Sequence, residues 1–256
     1  MHGSQPELGI VFTDLMTDSP LYTAVTDSAK FGYRIINGQP APHLFHSFKE
    51  SYESFFNEKS SKYKNQLRKK EKIFRERFGS AFSMREYRRP EDVMEFLRAA
   101  ELINKKTYQY KLFGETIDCG VESQKIYTAL AHDGIFRSFV LWHEQIPLCF
   151  ILGSQSRDGT FLHQKTGFDP EWRESAPGFN CNIQMLRRLY ESDPPKLLDF
   201  GSGDADYKRL FATVSKLSAS PVLIPRVPRY FMPFMLYAVS AQINEAATVV
   251  LDKFGL

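Results

Sequence analysis

The sequence comprises 256 residues, of which 43% are hydrophobic and 25% are charged, and its formal net charge is +3. This composition is typical of a globular protein and excludes a disordered chain, which lacks the apolar residues to form a core. The near balance of charge gives no global indication of nucleic-acid binding, so a basic site would have to be local. No apolar run reaches the ~20 residues that span a bilayer, and the first residues lack the pattern of a signal peptide.

The three cysteines, Cys119, Cys149 and Cys181, are widely spaced and adjoin apolar residues. An odd number without a CxxC pair indicates neither a disulfide framework nor a zinc site, so we expect no bound metal. Buried, reduced thiols are the simpler interpretation, and they favour a reducing, cytoplasmic location.

Residues 1–46 contain a short predicted strand at 10–12 and a short predicted helix at 19–29, without a core of their own. Residues 47–78 have helical spacing in two parts, and the second helix begins near residue 60. The basic side chains of this second helix are Lys62, Lys64, Arg68, Lys69, Lys70, Lys72, Arg75 and Arg77. A solvated outer face is the simpler interpretation of these charges, and contact with RNA, a phosphate-bearing acceptor or anionic lipid is the alternative.

The middle of the chain predicts a mixed α/β domain. Strands are predicted at residues 82–88, 135–143, 147–155, 160–167 and 196–200, and helices at residues 90–104, 122–132, 177–192 and 204–211. Hairpin-type turns at Asp133-Gly134 and Asp158-Gly159 join three of the strands into an antiparallel meander. A helix between the last two strands implies a crossover and a parallel or near-parallel pair, so the sheet is mixed.

The crevice for a ligand is expected where strands 160–167 and 196–200 diverge around their crossover helix. The helix that begins near Pro177 directs its first N–H groups into this crevice, which would favour an anion such as a pyrophosphate. An ordinary strand-to-helix loop is the alternative. Beyond the second strand, a Gly-Ser-Gly bend brings Asp204 and Lys208 close together; a helix cap and a solvated lysine are the alternative there.

These two segments together resemble the acetyltransferase domain of CelD-type proteins, which are GNAT-fold proteins found with bacterial cellulose and exopolysaccharide genes. They are also similar to the FemAB-type aminoacyl transferases. The residues that carry the resemblance are Gly167, Phe168, Asp169, Pro170, Trp172, Arg173, Ser175, Ala176, Pro177 and Gly178, then Asp199, Phe200, Gly201, Gly203, Asp204, Tyr207 and Lys208. The basic stretch at 60–69 resembles the helix that opens this domain, so the resemblance covers roughly residues 61–211.

The resemblance implies a GNAT-like fold whose mostly antiparallel sheet splays to hold acyl-CoA, such as acetyl-CoA, as co-substrate. The pantetheine arm would pair with the exposed strand edge. The residues expected to bind the donor are Thr166, Gly167, Phe168, Pro177, Gly178, Phe179 and Asn180. The implied acceptor is a small molecule or glycan precursor bearing an amine or hydroxyl.

Four side chains are candidates for the chemistry: Asp204, Lys208, Tyr207 and His163. Asp204 would bind or deprotonate the acceptor, Lys208 would stabilise negative charge, and Tyr207 would pack or donate a hydrogen bond to the leaving sulfur. A lone strand histidine such as His163 is more often a packed residue than a catalytic one. Strict strand alternation would place His163 and Gly167 on the same face.

The expected organisation is an N-terminal segment at 1–59, resembling the remnant of a first GNAT-like half, a GNAT-like domain at 60–215 and an apolar tail at 216–256. A helix is predicted at about 233–254, which would cover the domain, contact a partner or lie on a membrane surface. Two alternatives to acyl-CoA transfer stay open. One is a FemAB-like aminoacyl transferase that contacts tRNA through the basic helix, and the other is a degenerate GNAT domain that only binds.

Overall fold

The computed structural model describes residues 9–36, 38–107, 110–111, 114, 117–225, 232, 236 and 239. The chain divides into two compact units. Unit 1 comprises Met1–His43, Ser202–Asp204 and Ser215–Leu256, and unit 2 comprises Leu44–Gly201 and Ala205–Val214.

The elements are, in chain order, β1 (Ile10–Val11), β2 (Leu15–Met16), α1 (Pro20–Asp27), β3 (Tyr33–Ile36), β4 (Ala41–Ser47), α2 (Tyr52–Glu58), α3 (Ser61–Phe78), β5 (Phe82–Tyr87), α4 (Val93–Asn104), α5 (Val121–His132), β6 (Ser138–His143), β7 (Ile146–Gln155), β8 (Thr160–Phe168), α6 (Pro177–Glu191), β9 (Leu197–Ser202), α7 (Asp206–Phe211), β10 (Val214–Ala219) and β11 (Val222–Pro225). Single 3₁₀ segments occur at Ser28–Phe31, Pro90–Asp92 and Pro170–Ser175.

In unit 1, β11 pairs with β1 on one side and with β3 on the other, both antiparallel. Helix α1 begins at Ser19, whose Oγ accepts a hydrogen bond from the Tyr22 N–H at 3.1 Å, and Pro20 occupies the first helical position. The sequence predicts no strand at 214–225, yet β10 and β11 lie there. The predicted helix at 233–254 falls on residues that, apart from 236 and 239, lie outside the described part of the chain.

In unit 2, the strands of the sheet lie in the order β4-β9-β8-β7-β6-β5. The pairs from β5 to β8 are antiparallel, whereas β8 and β9 are parallel and are joined through α6. This arrangement confirms the predicted mixed α/β fold with its crossover helix. Strand β4 was not expected, because within residues 1–46 the sequence predicts only the strand at 10–12 and the helix at 19–29.

Two hydrophobic clusters fill unit 2. The first core contains the buried stripe of α3, with Leu67 and Phe74, and the inner face of α6, with Met185 and Leu186. The second core contains the buried faces of α4 and of neighbouring strands. Burying each of these large side chains contributes about 1.5–3 kcal/mol, and the helical spacing of the α3 stripe is what places its members on one side.

A β-bulge interrupts the pairing of β7 with β8. Leu152 pairs with Lys165, but the next residue of β7, Gly153, pairs with His163, which leaves Gln164 as an extra residue. A bulge of this kind bends the strand and increases its twist. The bend occurs in the middle of the strand that borders the predicted crevice.

The bulge also changes which side chains share a face of β8. His163 contacts Phe200, which belongs to the first core. A Cβ on Gly167, by contrast, would lie 2.6 Å from Cε1 of Phe150, which belongs to the second core. The prediction that His163 and Gly167 share a face is therefore wrong, because strict alternation holds only where a strand has no bulge.

Gly153, at the bulge, is predicted to tolerate no side chain. A Cβ there would lie 2.5 Å from Cζ of Phe161 and 2.9 Å from the Arg137 carbonyl oxygen. We expect Gly153→Ala to lower the free energy of unfolding by about 1–3 kcal/mol, measured by urea denaturation. Gly178→Ala is the matched control, since its Cβ would meet Phe168 at an ordinary 3.4 Å. Equal stability of the two variants would contradict this packing.

Candidate active site at the divergence of two strands

The parallel ladder between β8 and β9 is short. It consists of three pairs, Thr160 with Leu197, Phe161 with Leu198, and Leu162 with Asp199. Both strands continue beyond the last pair, β8 as far as Phe168. From residue 163 onward, the edge of β8 that faces β9 is therefore not paired with that strand, and the two strands enclose an opening.

His163 is the first residue of β8 beyond the ladder. Its ring is buried and lies 5.6 Å from the ring of Phe200 on β9 and 6.1 Å from the ring of Tyr207 on α7, centroid to centroid. Its Nε2 has no hydrogen-bond partner among the residues that the structure describes. A buried polar atom without a partner costs about 1–3 kcal/mol, so such atoms are rare unless a site uses them.

Asn182, on α6, lies beside His163, and no pattern in the sequence indicated it. Its Nδ2 donates a hydrogen bond to the Gly178 carbonyl oxygen at 2.9 Å, which fixes the side-chain amide, while its buried Oδ1 has no hydrogen-bond partner. The amide is close enough to raise the pKa of His163, yet Nε2 and Oδ1 are not in hydrogen-bond geometry. Each of these two atoms is thus buried without a hydrogen-bond partner among the described residues.

Burial, and to a smaller extent the nearby positive charge of Lys208, lower the pKa of His163 to about 4. The imidazole is therefore neutral at neutral pH and carries a lone pair that can accept a proton.

The bend after β9 brings α7 back towards this opening. Asp199 Oδ1 accepts a hydrogen bond from the Gly201 N–H at 2.7 Å, and Gly201 has a φ of 75°, which favours glycine. A Cβ on Gly201 would lie 3.9 Å from Nζ of Lys208. Asp199 thus stabilises the bend, and the bend leaves Lys208 next to it.

Of the four predicted catalytic residues, unit 2 brings together His163, Tyr207 and Lys208. Asp204 belongs to unit 1, where it is exposed in the bend after β9. Helix α7 begins at Asp206, with Ala205 as its N-cap. Asp204 therefore lies before the helix and not within its first turn, where the sequence placed it together with Tyr207 and Lys208.

The predicted phosphate-binding segment is a helix start with no side-chain cap. Ala176, in the left-handed conformation, is the N-cap residue before Pro177, and its side chain makes no capping hydrogen bond to α6. Lys70 of α3 lies 5.0 Å from the ring centroid of Phe179. Asn180 is committed to structure, since its Nδ2 donates to the carbonyl oxygens of Lys70 and Ala176.

The end of β8 is more enclosed than its sequence indicated. Thr166 Oγ1 donates to the Phe150 carbonyl oxygen at 2.9 Å, and Gly167 packs directly against the Phe150 ring. Phe168 packs against the first core. The side-chain positions of Thr166 and Gly167 are thus filled by protein, which leaves the backbone edge of β8 as the surface available to a ligand.

Within the part of the chain that the structure describes, no group of three or more His, Cys, Asp or Glu side chains is arranged to hold a metal ion. None of the helices in that part has the length and apolarity needed to cross a membrane.

A second buried histidine provides an internal contrast. His46 Nδ1 lies 2.8 Å from the Phe211 carbonyl oxygen, to which it donates, and Nε2 accepts from the Tyr190 hydroxyl at 2.9 Å. Burial also lowers the pKa of His46 to about 4. Both rings are therefore neutral, but His46 has its hydrogen bonds satisfied and is structural.

These two histidines predict a loss of stability in acid. In the unfolded chain they take up protons as the pH falls through 6.5, whereas in the folded protein they stay neutral down to about 4. The unfolded state then binds more protons, so each contributes a loss of about 1.4 kcal/mol per pH unit across this window. The free energy of unfolding is measured by urea denaturation at several pH values in this window. In His163→Gln, the slope of this free energy against pH should fall by the contribution of one proton. An unchanged slope in His163→Gln would refute the assignment.

Several solved structures share this fold at low sequence identity. The crystal structure of FemX is 12% identical, with a TM-score of 0.59, and the match covers 88% of this chain and 74% of that one. L-PGS from Bacillus licheniformis is 14% identical, with a TM-score of 0.54 and coverage of 90% and 71%. A conserved protein of unknown function from Bacteroides thetaiotaomicron is 11% identical, with a TM-score of 0.54 and coverage of 84% and 69%.

Comparison with curated protein sequences gives no match. The family profile described as "Acetyltransferase (GNAT) domain" matches residues 61–209, which is more than half of the chain and includes α3, β8, α6 and β9. This protein therefore belongs to the GNAT acetyltransferase-domain family and is a GNAT-superfamily acyltransferase.

Proposed function

We propose that this protein transfers an acyl group, with acetyl as the first candidate, from acyl-CoA to an amine or hydroxyl at the opening between β8 and β9. The observation that carries the proposal is His163, a buried neutral imidazole whose Nε2 has no partner at the point where the strands part. An acyl transfer needs a base for the acceptor proton, and this ring has the required form.

The opening has features that suit a CoA thioester, which would supply the acyl group. The free backbone edge of β8 can pair with an extended pantetheine arm as with another strand. The uncapped start of α6 can receive the pyrophosphate, because its first N–H groups and the helix dipole favour an anion. On the 3₁₀ segment just before this start, the buried Trp172 Nε1 is a donor without a partner.

The residues around the opening divide the chemistry between them. His163 accepts the proton as the acceptor nitrogen or oxygen bonds to the acyl carbon. Asn182 Oδ1, held beside the ring, stabilises the imidazolium that forms. Lys208 stabilises the negative charge that develops on the thioester oxygen, and the Tyr207 hydroxyl donates a proton to the sulfur as the carbon–sulfur bond breaks.

The acceptor is proposed from the resemblance to CelD-type proteins. It would be a small molecule or glycan precursor of the cell envelope or of an exopolysaccharide, and the resemblance also supports a bacterial origin. Asp204 is proposed to bind this acceptor. Buried, unpaired thiols at Cys149 and Cys181 support a cytoplasmic location.

His163→Gln tests the proposal directly. We expect the variant to bind acetyl-CoA with unchanged affinity in calorimetry, because the base does not hold the donor. Its kcat for acetylation should fall by roughly 10²–10⁴-fold, the usual contribution of a general base. Turnover is measured as CoA release over a panel of amines and hydroxyl acceptors.

Two controls make the result decisive. His132→Gln replaces an exposed histidine of α5 and should leave kcat unchanged. Lys208→Ala should lower kcat. If the wild-type protein binds neither CoA nor acetyl-CoA at millimolar concentration, CoA is not the donor; if His163→Gln keeps full turnover, His163 is not the base.

A FemAB-like aminoacyl transfer from aminoacyl-tRNA is the second candidate. It is favoured by the fold shared with FemX and by the basic outer face of α3, on which Lys69 is exposed. Salt-sensitive tRNA binding that is lost in a Lys69→Gln/Lys70→Gln variant would support it. The absence of tRNA binding at low salt would exclude it.

A further inference from the structure

A groove of about 580 Å³ lies between α3 and α6, within unit 2. Its lining side chains are Arg68, Glu71, Lys72, Arg75, Glu76 and Arg187. None of these residues belongs to the opening between β8 and β9. The groove is open to solvent and is separate from that opening.

The groove is positively charged and partly preorganised. Its four cations and two carboxylates give it a net charge of +2. Arg187 is fixed in place, because Nη1 is 2.7 Å from Oε1 of Glu71 and the guanidinium lies 5.0 Å from the ring centroid of Tyr52. Lys72 makes only a long, exposed ion pair with Glu76, at 3.7 Å, which contributes little to stability.

Two arginines of the groove keep their hydrogen-bonding capacity. The guanidinium of Arg68 lies 5.4 Å from the ring centroid of Phe56, a contact that leaves its N–H edge available. Arg75 makes no ion pair with any residue that the structure describes, and it is exposed. With Lys72, these residues stand at positions i, i+4 and i+7 of α3, so all three share one stripe of the helix.

This arrangement matches a phosphate group better than a carboxylate. A phosphate monoester carries about two negative charges and three acceptor oxygens, whereas a carboxylate carries one charge and two oxygens. Arginine binds phosphate oxygens with two parallel hydrogen bonds, and the groove presents three arginines from two helices. A bound dianion would neutralise the net charge of the groove.

We propose that the groove between α3 and α6 binds a phosphate ester through Arg68, Arg75 and Arg187, which lie outside the opening between β8 and β9. The phosphate can come from two sources, a phosphorylated acceptor or the nucleotide part of the acyl donor. Both present the same chemistry, and the experiment distinguishes them.

The test measures the binding of glucose 1-phosphate, and separately of CoA, to the full chain by calorimetry at low salt. The variant Arg68→Gln/Arg75→Gln should bind the phosphate probe roughly tenfold more weakly, because it loses two charge-assisted contacts. Wild-type binding should weaken as salt is added, since exposed charges are screened. Arg187 is kept, because its ion pair with Glu71 joins the two helices.

Arg98→Gln/Arg157→Gln is the matched control, because it removes the same charge at two exposed arginines outside the groove. Both variants should unfold at the wild-type urea midpoint. Weaker glucose 1-phosphate binding in the groove variant alone supports a phosphorylated acceptor, and weaker CoA binding in that variant supports the donor nucleotide. If neither ligand distinguishes the groove variant from the control, or neither binds, the proposal is overturned whatever the acyl-transfer activity.

Discussion

Hydrogen bonds hold β8 and β9 together over only three residue pairs, and the path of the chain prevents the ladder from continuing. A parallel pair needs a crossover, and here α6 supplies it by packing its apolar face on the first core. The bulge at Gln164 bends β8 at the same level. Beyond the ladder, backbone N–H and C=O groups face an opening between the strands, and such groups are costly to leave unpaired. A strand-like ligand is the natural partner for this edge.

Polar atoms at the opening are buried without hydrogen-bond partners among the described residues. His46 shows that this fold can satisfy a buried imidazole completely, with a carbonyl on one nitrogen and a hydroxyl on the other. His163 is also buried, yet among the described residues its Nε2 has no hydrogen-bond partner. The same holds for Oδ1 of the neighbouring Asn182. The free energy lost at these atoms makes the site less stable than it could be. That loss is expected of a preorganised site, whose polar groups are oriented before the reactants arrive.

Helix α3 links the core to the surface of unit 2. Its apolar stripe, with Leu67 and Phe74, packs in the first core, while the neighbouring stripe, about 100° around the helix, carries Arg68 and Arg75 at the groove with α6. The helical period of α3 thus places apolar side chains in the core and basic side chains at the groove. Helix α6 borders both this groove, through Arg187, and the opening with His163, through Asn182.

Local patterns along the chain determined much of this architecture. The apolar stripe of α3, the glycine turns of the meander and the Pro177-Gly178 helix start were each readable, because they depend on neighbours along the chain. The resemblance carried by Gly203, Asp204 and the residues after them indicated the family. These local signals are therefore enough to locate the region that holds His163, Tyr207 and Lys208.

Features that depend on contacts between residues far apart in the chain could not be predicted from local sequence patterns. The strands β4, β10 and β11 exist because distant partners pair with them, so their own residues give a weak signal. The bulge that places His163 and Gly167 on different faces of β8 depends on the register between β7 and β8. No local sequence pattern distinguishes Asn182, because it lies beside His163 only when α6 packs against β8. The sequence alone thus predicts the helices, the turns and the region where β8 and β9 part, whereas long-range packing decides which side chains of the described residues meet there.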